Sequence, residues 1–290
     1  MNGLTNPAEI SELIRRHGFR FSKSMGQNFL IDASVPTRIA QSVCADKDCA
    51  VLEIGPGIGC LTTEIAKYAG KVVTVELDRR LAPVLKETLA GLDNVEVVFS
   101  DIMKLDLQSF TEEKLNLPHK LVCANLPYNI TTPLLTAMIE SGCFERICVM
   151  IQKEVAERIC AKAGSKEYGA FSLLVQWSYE PELLFPVSPH CFMPQPKVTS
   201  AVIRLTRRSA PPADVQDETL MFRLIRAAFN QRRKTLVNAI SSGFPALSKA
   251  DCERILKLCD FDTNIRGENL NLGDFARISN EITTLEARVL

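Results

Sequence analysis

The chain has 290 residues, of which 34 are Lys or Arg and 34 are Asp or Glu, so its formal net charge is zero. That length fits one sizeable core plus a smaller domain, and no run approaches the roughly 20 apolar residues of a membrane span. Overall charge offers no long-range field for nucleic acid, so such a partner must be met by a local patch. The N-terminus lacks the basic-then-apolar pattern of a secretion signal. The 10 cysteines form no C-x-x-C pair and no Cys/His cluster, and most lie in apolar runs, as Cys123 and Cys148 do. This usage predicts free thiols in a reducing cytoplasm and no metal site.

Residues up to about Pro36 read as a helical arm and a loop. The arm carries a small basic group, Arg15, Arg16, His17, Arg20 and Lys23, just before Gln27-Asn28. Val51-Leu52-Glu53-Ile54 then reads as a strand entering the glycine-rich turn Gly55-Pro56-Gly57-Ile58-Gly59. Leu61, Ile65 and Tyr68 give the following segment a helical face. Glycines let a backbone approach a ligand that side chains would block. A dinucleotide fingerprint needs glycine or alanine where this chain has Cys60, so the loop suits a nucleoside without a pyrophosphate.

Two more strands end in acids. Val72-Val73-Thr74-Val75-Glu76 places a carboxylate where two ribose hydroxyls can donate to it. Val95-Glu96-Val97-Val98-Phe99-Ser100-Asp101 places another within reach of an adenine amine. Each acid alone is more often an exposed residue closing a strand. Three chemically suited strand ends in sequence order are harder to assign to chance.

Leu121-Val122-Cys123-Ala124 predicts a buried strand that delivers Asn125-Leu126-Pro127-Tyr128 to its tip, where open α/β sheets build their sites. The carboxamide oxygen can accept from an exocyclic amine, the proline stiffens the turn, and the tyrosine offers a face for a planar base. An ordinary turn after a strand accounts equally well for the tetrapeptide alone. Further strand candidates lie at Val149, near Leu183 and over Val198 to Leu205. Alternating strands and helices predict a parallel sheet covered on both faces.

Ser209-Ala210-Pro211-Pro212-Ala213-Asp214 is a linker by composition, and the chain beyond it reads as helical. Met221 to Ile240 predicts one helix with an apolar stripe of Phe222, Ile225, Phe229, Leu236 and Ile240. Arg223, Arg226 and Arg233, flanked by Arg232 and Lys234, occupy another face without acids, with Arg204, Arg207 and Arg208 nearby in sequence. Such a face either meets phosphates, solvates a helix, or pairs with acids of its own domain.

These residues resemble the class I S-adenosylmethionine-dependent methyltransferases. The ordered set Gly26-Gln27-Asn28-Phe29-Leu30, Glu53 to Gly59, Glu76-Leu77-Asp78, Asn125 to Tyr128 and Phe192-Met193-Pro194-Gln195-Pro196-Lys197-Val198 is similar to the rRNA adenine N6-dimethyltransferases. Phe229-Asn230-Gln231-Arg232-Arg233-Lys234-Thr235-Leu236 resembles the KsgA/RsmA group within them. Single motifs are weak; their order across nearly the whole chain is specific.

The resemblance implies a Rossmann-like, mostly parallel seven-stranded sheet over residues 1–208, one strand antiparallel, and an all-helical RNA-binding domain over 209–290. It implies methyl transfer from S-adenosylmethionine to the N6 amines of two adjacent adenosines near the 3′ end of 16S rRNA. The protein would act as a monomer on the small ribosomal subunit or its precursor, without a membrane or metal. Gln27, Asn28, Leu30, Gly55, Gly57, Glu76, Asp101, Ile102 and Asn125 would hold the cofactor, and Asn125, Leu126, Pro127 and Tyr128 would form the catalytic turn. Arg226, Arg232, Arg233 and Lys234 would meet RNA. Spacing alone makes Phe192 a core aromatic; the resemblance places it opposite Tyr128 as a second stacking ring. A resistance-type methyltransferase of large-subunit RNA, a DNA adenine methyltransferase and an assembly factor with secondary catalysis are the competing expectations.

Overall fold

A computed structural model describes residues 3–19, 27–43 and 45–289. Arg20, Lys23 and Gly26 lie outside them. The chain divides into two compact units, residues 1–156 with 180–207, and residues 157–179 with 208–290.

The first unit opens with α1 (Pro7–Arg16), started by Asn6, whose side chain accepts from the Ala8 and Glu9 amides, and by proline at the first turn. The strand pair β1 (Phe29–Leu30) and α2 (Ser34–Ser42) follow. Pro36 therefore sits inside a helix rather than at the end of a loop; the first helical turn tolerates proline because its N–H has no intrahelical partner. Strands and helices then alternate: β2 (Cys49–Ile54), α3 (Cys60–Tyr68), β3 (Lys71–Glu76), α4 (Ala82–Thr88), β4 (Val95–Phe99), α5 (Leu107–Lys114), β5 (His119–Asn125), α6 (Thr131–Ser141) and β6 (Arg146–Gln152). After α7 (Lys153–Cys160) and α8 (Ala170–Ser178) come β7 (Tyr179–Val187), β8 (Phe192–Met193) and β9 (Ser200–Arg207).

The seven strands lie in the order β4-β3-β2-β5-β6-β9-β7. Neighbours from β4 to β6 are parallel, and β9 runs antiparallel to β6. All six residues of β2 are buried, as a strand covered on both faces by helices must be. From β2 the chain steps outward to β3 and β4, then returns to β5 on the other side. That reversal opens a crevice at the carboxyl ends of β2 and β5. β1 and β8 pair separately, Leu30 opposite Phe192.

The second unit is helical. It contains α8, α9 (Glu218–Asn230), α10 (Leu236–Gly243), α11 (Lys249–Leu258) and α12 (Leu272–Val289). Met221, Leu224, Ile225, Leu236, Ile240 and Phe275 form its core with Tyr168, Leu173 and Trp177. Tyr168 donates its hydroxyl to the Leu270 carbonyl at 2.9 Å, and Trp177 meets Phe222 edge-on at 6.1 Å. The helix expected over Met221 to Ile240 is two helices: residues 231–235 form the turn between α9 and α10. α9 begins at Glu218 rather than Met221, capped by Asp217, whose side chain accepts from the Leu220 amide. Among the described residues no helix is long and apolar enough to cross a membrane.

Candidate active site

The crevice at the sheet reversal is a cleft of about 320 Å³ in the first unit, within the usual size range of small-ligand sites. Its walls come from consecutive strand ends. β2 leads into the glycine turn, where Gly55, Gly57 and Gly59 have φ of 69°, 59° and 90°. Side chains rarely adopt such angles. At Gly57 a Cβ would also come within 3.1 Å of the Phe29 ring. The turn therefore exposes backbone along the cleft because no larger residue fits its conformation.

β3 ends on Glu76, which is 6% exposed. Its Oε1 accepts from the Asp78 amide at 2.7 Å. Burial pushes its carboxyl above the ordinary range, opposed by bonds from the Asp78 and Gly57 amides. Asp78 is fixed in turn. It accepts from Arg80 Nε at 2.8 Å and Nη2 at 2.7 Å, and from Gln27 Nε2 at 3.0 Å. The Arg80 contact is the main reason that its pKa is lowered. Gln27 thus reaches the cleft while tied to the residue that orients Glu76. Asn28 and Leu30 line the same wall.

Asp101 follows β4, and its Oδ1 accepts from the Met103 amide at 3.1 Å. That bond shapes the short turn carrying Ile102 into the cleft lining. On the opposite side β5 ends at Asn125, and Leu126, Pro127 and Tyr128 complete that wall. The Leu126 amide donates to the Met150 carbonyl at 3.1 Å. The Thr131 hydroxyl donates to the Pro127 carbonyl at 3.0 Å. Pinned at both ends, the turn is held rigidly. The Tyr128 hydroxyl shares a 2.5 Å hydrogen bond with Ser200, a fully buried residue at the start of β9.

All nine residues expected to hold a cofactor, and the four of the Asn125–Tyr128 turn, line this one cleft. Phe192 does not. It is 1% exposed and packs among Leu30, Cys123, Met150, Phe185 and Val202. The expected stacking ring is a core aromatic here, in the short strand β8 that pairs with β1.

Glu53 joins the site without having been expected there. It lines the cleft and is 1% exposed. Thr62 donates to its Oε2 at 2.6 Å. Burial raises its pKa from 4.5 to about 7, with Glu76 adding in the same direction. A lone acid inside the apolar run Val51 to Ile54 was the available signal. Cys60 also lines the cleft, and burial raises its thiol to about 12, so it packs as a neutral group. Leu77, at 57% exposure, and Met103, at 42%, stand as apolar rim residues.

In the helical unit the basic segment divides. Arg226, Arg233 and Lys234 are exposed. Arg232 is engaged within its own unit: its Nε donates to Glu268 Oε2 at 2.6 Å, and its Nη2 to the Lys166 carbonyl at 2.7 Å. Of the roles open to the basic face, pairing with an acid of its own domain is the one this structure gives Arg232.

This sheet order, with one antiparallel strand near the end and a glycine turn at the reversal, defines a class I S-adenosylmethionine-dependent methyltransferase fold. The chain belongs to the ribosomal RNA adenine dimethylase family, which it matches over residues 18–284. It is 43% identical over 286 residues to the ribosomal RNA small subunit methyltransferase A of Geobacillus thermodenitrificans, covering 97% of this chain and 98% of that protein. The protein of the same name from Alkaliphilus metalliredigens is 44% identical over 283 residues, with 97% and 99% covered. In fold it is similar to a dimethyladenosine transferase from Plasmodium falciparum, with a TM-score of 0.74 over 90% of this chain and 98% of that one at 24% identity.

Proposed function

We propose that this protein transfers methyl groups from S-adenosylmethionine to the N6 amines of two adjacent adenosines near the 3′ end of 16S rRNA. Its substrate would be the small ribosomal subunit or its precursor, met in the cytoplasm by a monomer. The observation that carries this reading is the convergence of Glu76, Asp101 and the Asn125–Tyr128 turn on one cleft.

The donor set fits the cofactor. Glu76 presents a buried carboxylate to ribose hydroxyls, Asp101 an acceptor to the adenine amine, and the Gly55–Gly57 backbone leaves room for the remainder. Gln27 and Asn28 close the near wall, with Leu30 and Ile102 as apolar surfaces. When bound, the cofactor supplies an electrophilic methyl on a sulfonium.

The chain's own residues would then prepare the nucleophile. An adenine N6 amine is weakly nucleophilic because its lone pair is delocalised into the ring. Accepting its N–H bonds at the Asn125 side-chain oxygen and the Leu126 carbonyl favours a pyramidal nitrogen whose lone pair is available. The proton becomes acidic once nitrogen is alkylated, so no strong base is needed beforehand. Positioning carries the catalysis, and is worth up to roughly 7–11 kcal/mol in favourable systems. The base must leave its stack to enter. Tyr128, its hydroxyl anchored on Ser200, offers one face for stacking, an interaction worth roughly 1–3 kcal/mol per base.

Labelled S-adenosylmethionine incubated with unmethylated small subunits and, in parallel, with unmethylated large-subunit RNA, followed by mapping of product nucleosides, tests the reading. Dimethyladenosine at two adjacent 3′-terminal positions is the expected product. Label in large-subunit RNA instead would identify the resistance-type activity. Asn125→Ala should slow single-turnover transfer at least tenfold while leaving the fold and most RNA affinity intact, about the loss of one charge-developing hydrogen bond. A wild-type rate for that variant would remove Asn125 from the mechanism.

A further inference from the structure

We propose that Arg232 does not meet RNA itself but, with Glu268, buckles the loop between α7 and α8 onto the helical unit. The buckled loop would present Lys162 and Lys166, beside Arg233 and Lys234, as a surface for the phosphate backbone of rRNA. The inference rests on the reading above for its partner, and on the geometry of the second unit for the buckle.

Three residues along the loop are held. Arg232 Nη2 donates to the Lys166 carbonyl at 2.7 Å and to the Ser165 carbonyl at 3.4 Å, while its Nε donates to Glu268 Oε2 at 2.6 Å. The Gly164 amide donates to the Glu268 backbone carbonyl at 2.7 Å. Inside the loop, the Ser165 hydroxyl donates to the Lys162 carbonyl at 2.8 Å. Glu268 is seated against α9: a Cβ on its neighbour Gly267 would come within 2.6 Å of the Ala228 Cβ. Only glycine permits that approach. Arg266 is the other cation facing Glu268, 3.9 Å from Oε1.

The consequence is a division of labour among adjacent cations. Arg232 is committed to one carboxylate and two carbonyls, so its charge is largely answered inside the unit. Lys162, Lys166, Arg233 and Lys234 are exposed, and Glu167 is the loop's one acid. The bonds from Arg232 to residues 165 and 166 bring the loop's lysines to the segment that carries Arg233 and Lys234. A surface with excess positive charge and a fixed backbone suits a phosphate backbone, which is recognised by position and charge rather than by base.

The sign of one substitution separates this from direct phosphate binding by Arg232. If Arg232 met phosphate, removing its competing acid would free its charge and tighten RNA binding. If it is a buckle, removing the acid releases the loop and weakens binding. The full chain and its variants Glu268→Gln, Arg232→Ala, the pair combined, and Lys162→Ala with Lys166→Ala would be titrated with unmethylated small subunits at several salt concentrations. Hydrogen exchange at the Gly164 to Tyr168 amides would be followed in the same proteins. Glu268→Gln should weaken binding several-fold and speed exchange in the loop. The combined Arg232 and Glu268 variant should be no weaker than the worse single one, since both break one device. The double lysine variant should keep its exchange pattern and lower the salt slope by roughly one for each lysine. Tighter binding by Glu268→Gln, or an unaltered slope for the lysine variant, overturns the proposal. Should the wild-type protein bind no subunits at all, the rRNA reading fails and the phosphate surface with it. Unchanged loop exchange in Glu268→Gln sinks the buckle alone.

Discussion

Two acids at the base of the cleft are buried, and burial makes the stability of the ligand-free protein depend on pH in a definite direction. Glu53 is raised from 4.5 to about 7, and Glu76 is raised too. Between those pH values the folded state keeps a proton that the unfolded chain releases. Stability is therefore fullest below pH 4.5 as far as these groups are concerned, and is lost as pH rises through about 7. The loss from Glu53 is of order 3 kcal/mol. Denaturant midpoints from pH 5 to 8 should fall for the wild type and fall less for Glu53→Gln. An equal fall in both would mean that Glu53 is not the titrating group. Glu76 allows a separate test through binding: Glu76→Ala should cost roughly 1.5–3 kcal/mol of cofactor affinity, the worth of a hydrogen bond to a charged partner. Calorimetric titration measures it, and unchanged affinity in a folded variant would remove Glu76 from the ribose. Glu76, Asp101 and Asn125 were legible because each terminates an apolar run, and strand ends are where such sheets place their ligands. Glu53 lies within its strand, where a lone acid in an apolar run is the one sequence signal and its burial beside the cleft reveals the contact.

At the scale of elements, legibility follows periodicity. β2 to β6 each announce themselves by an apolar run, and α3 by its helical face. β1 and β8 are two residues each and are paired across more than 160 positions, so neither carries a pattern, and the burial of Phe192 that they bring about could not be read locally. The break between α9 and α10 escaped for a related reason. The apolar stripe resumes in helical phase at Leu236, seven residues after Phe229, while the turn between them is stabilised by the Lys234 amide donating to the Gln231 carbonyl and the Leu236 amide to the Ile265 carbonyl, a partner distant in sequence. The placement of Phe192 makes a prediction that a stacking role does not. Phe192→Ala should open a cavity and cost roughly 3–5 kcal/mol of stability. Phe192→Leu should cost less and, measured where it is fully folded, should transfer methyl groups at the wild-type rate. A stable Phe192→Leu with slow transfer would return the ring to the cleft.

At the scale of the whole chain, the boundary visible in composition is one of three crossings between the two units. Composition marks a single boundary, at 208, where proline and serine form a linker. The compact units interleave instead, because residues 157–179 belong with 208–290. The earlier crossing falls within α7 and the return at the start of β7, so regular elements run through both and composition gives no warning. This division predicts the behaviour of the C-terminal segment alone. A fragment of residues 209–290 lacks Tyr168, Leu173 and Trp177, which lie in the core of the helical unit. It also lacks the Lys166 carbonyl that Arg232 binds and the Tyr168 hydroxyl that meets Leu270. Loss of large buried side chains costs several kcal/mol apiece, against the 5–15 kcal/mol that separates folded from unfolded domains. The fragment should therefore show helical circular dichroism without a sharp thermal transition. In the full chain, Trp177 is the only tryptophan, and its fluorescence should report a cooperative unfolding of the same helices. A fragment that melts cooperatively would show that residues 157–179 decorate the helical unit rather than complete its core.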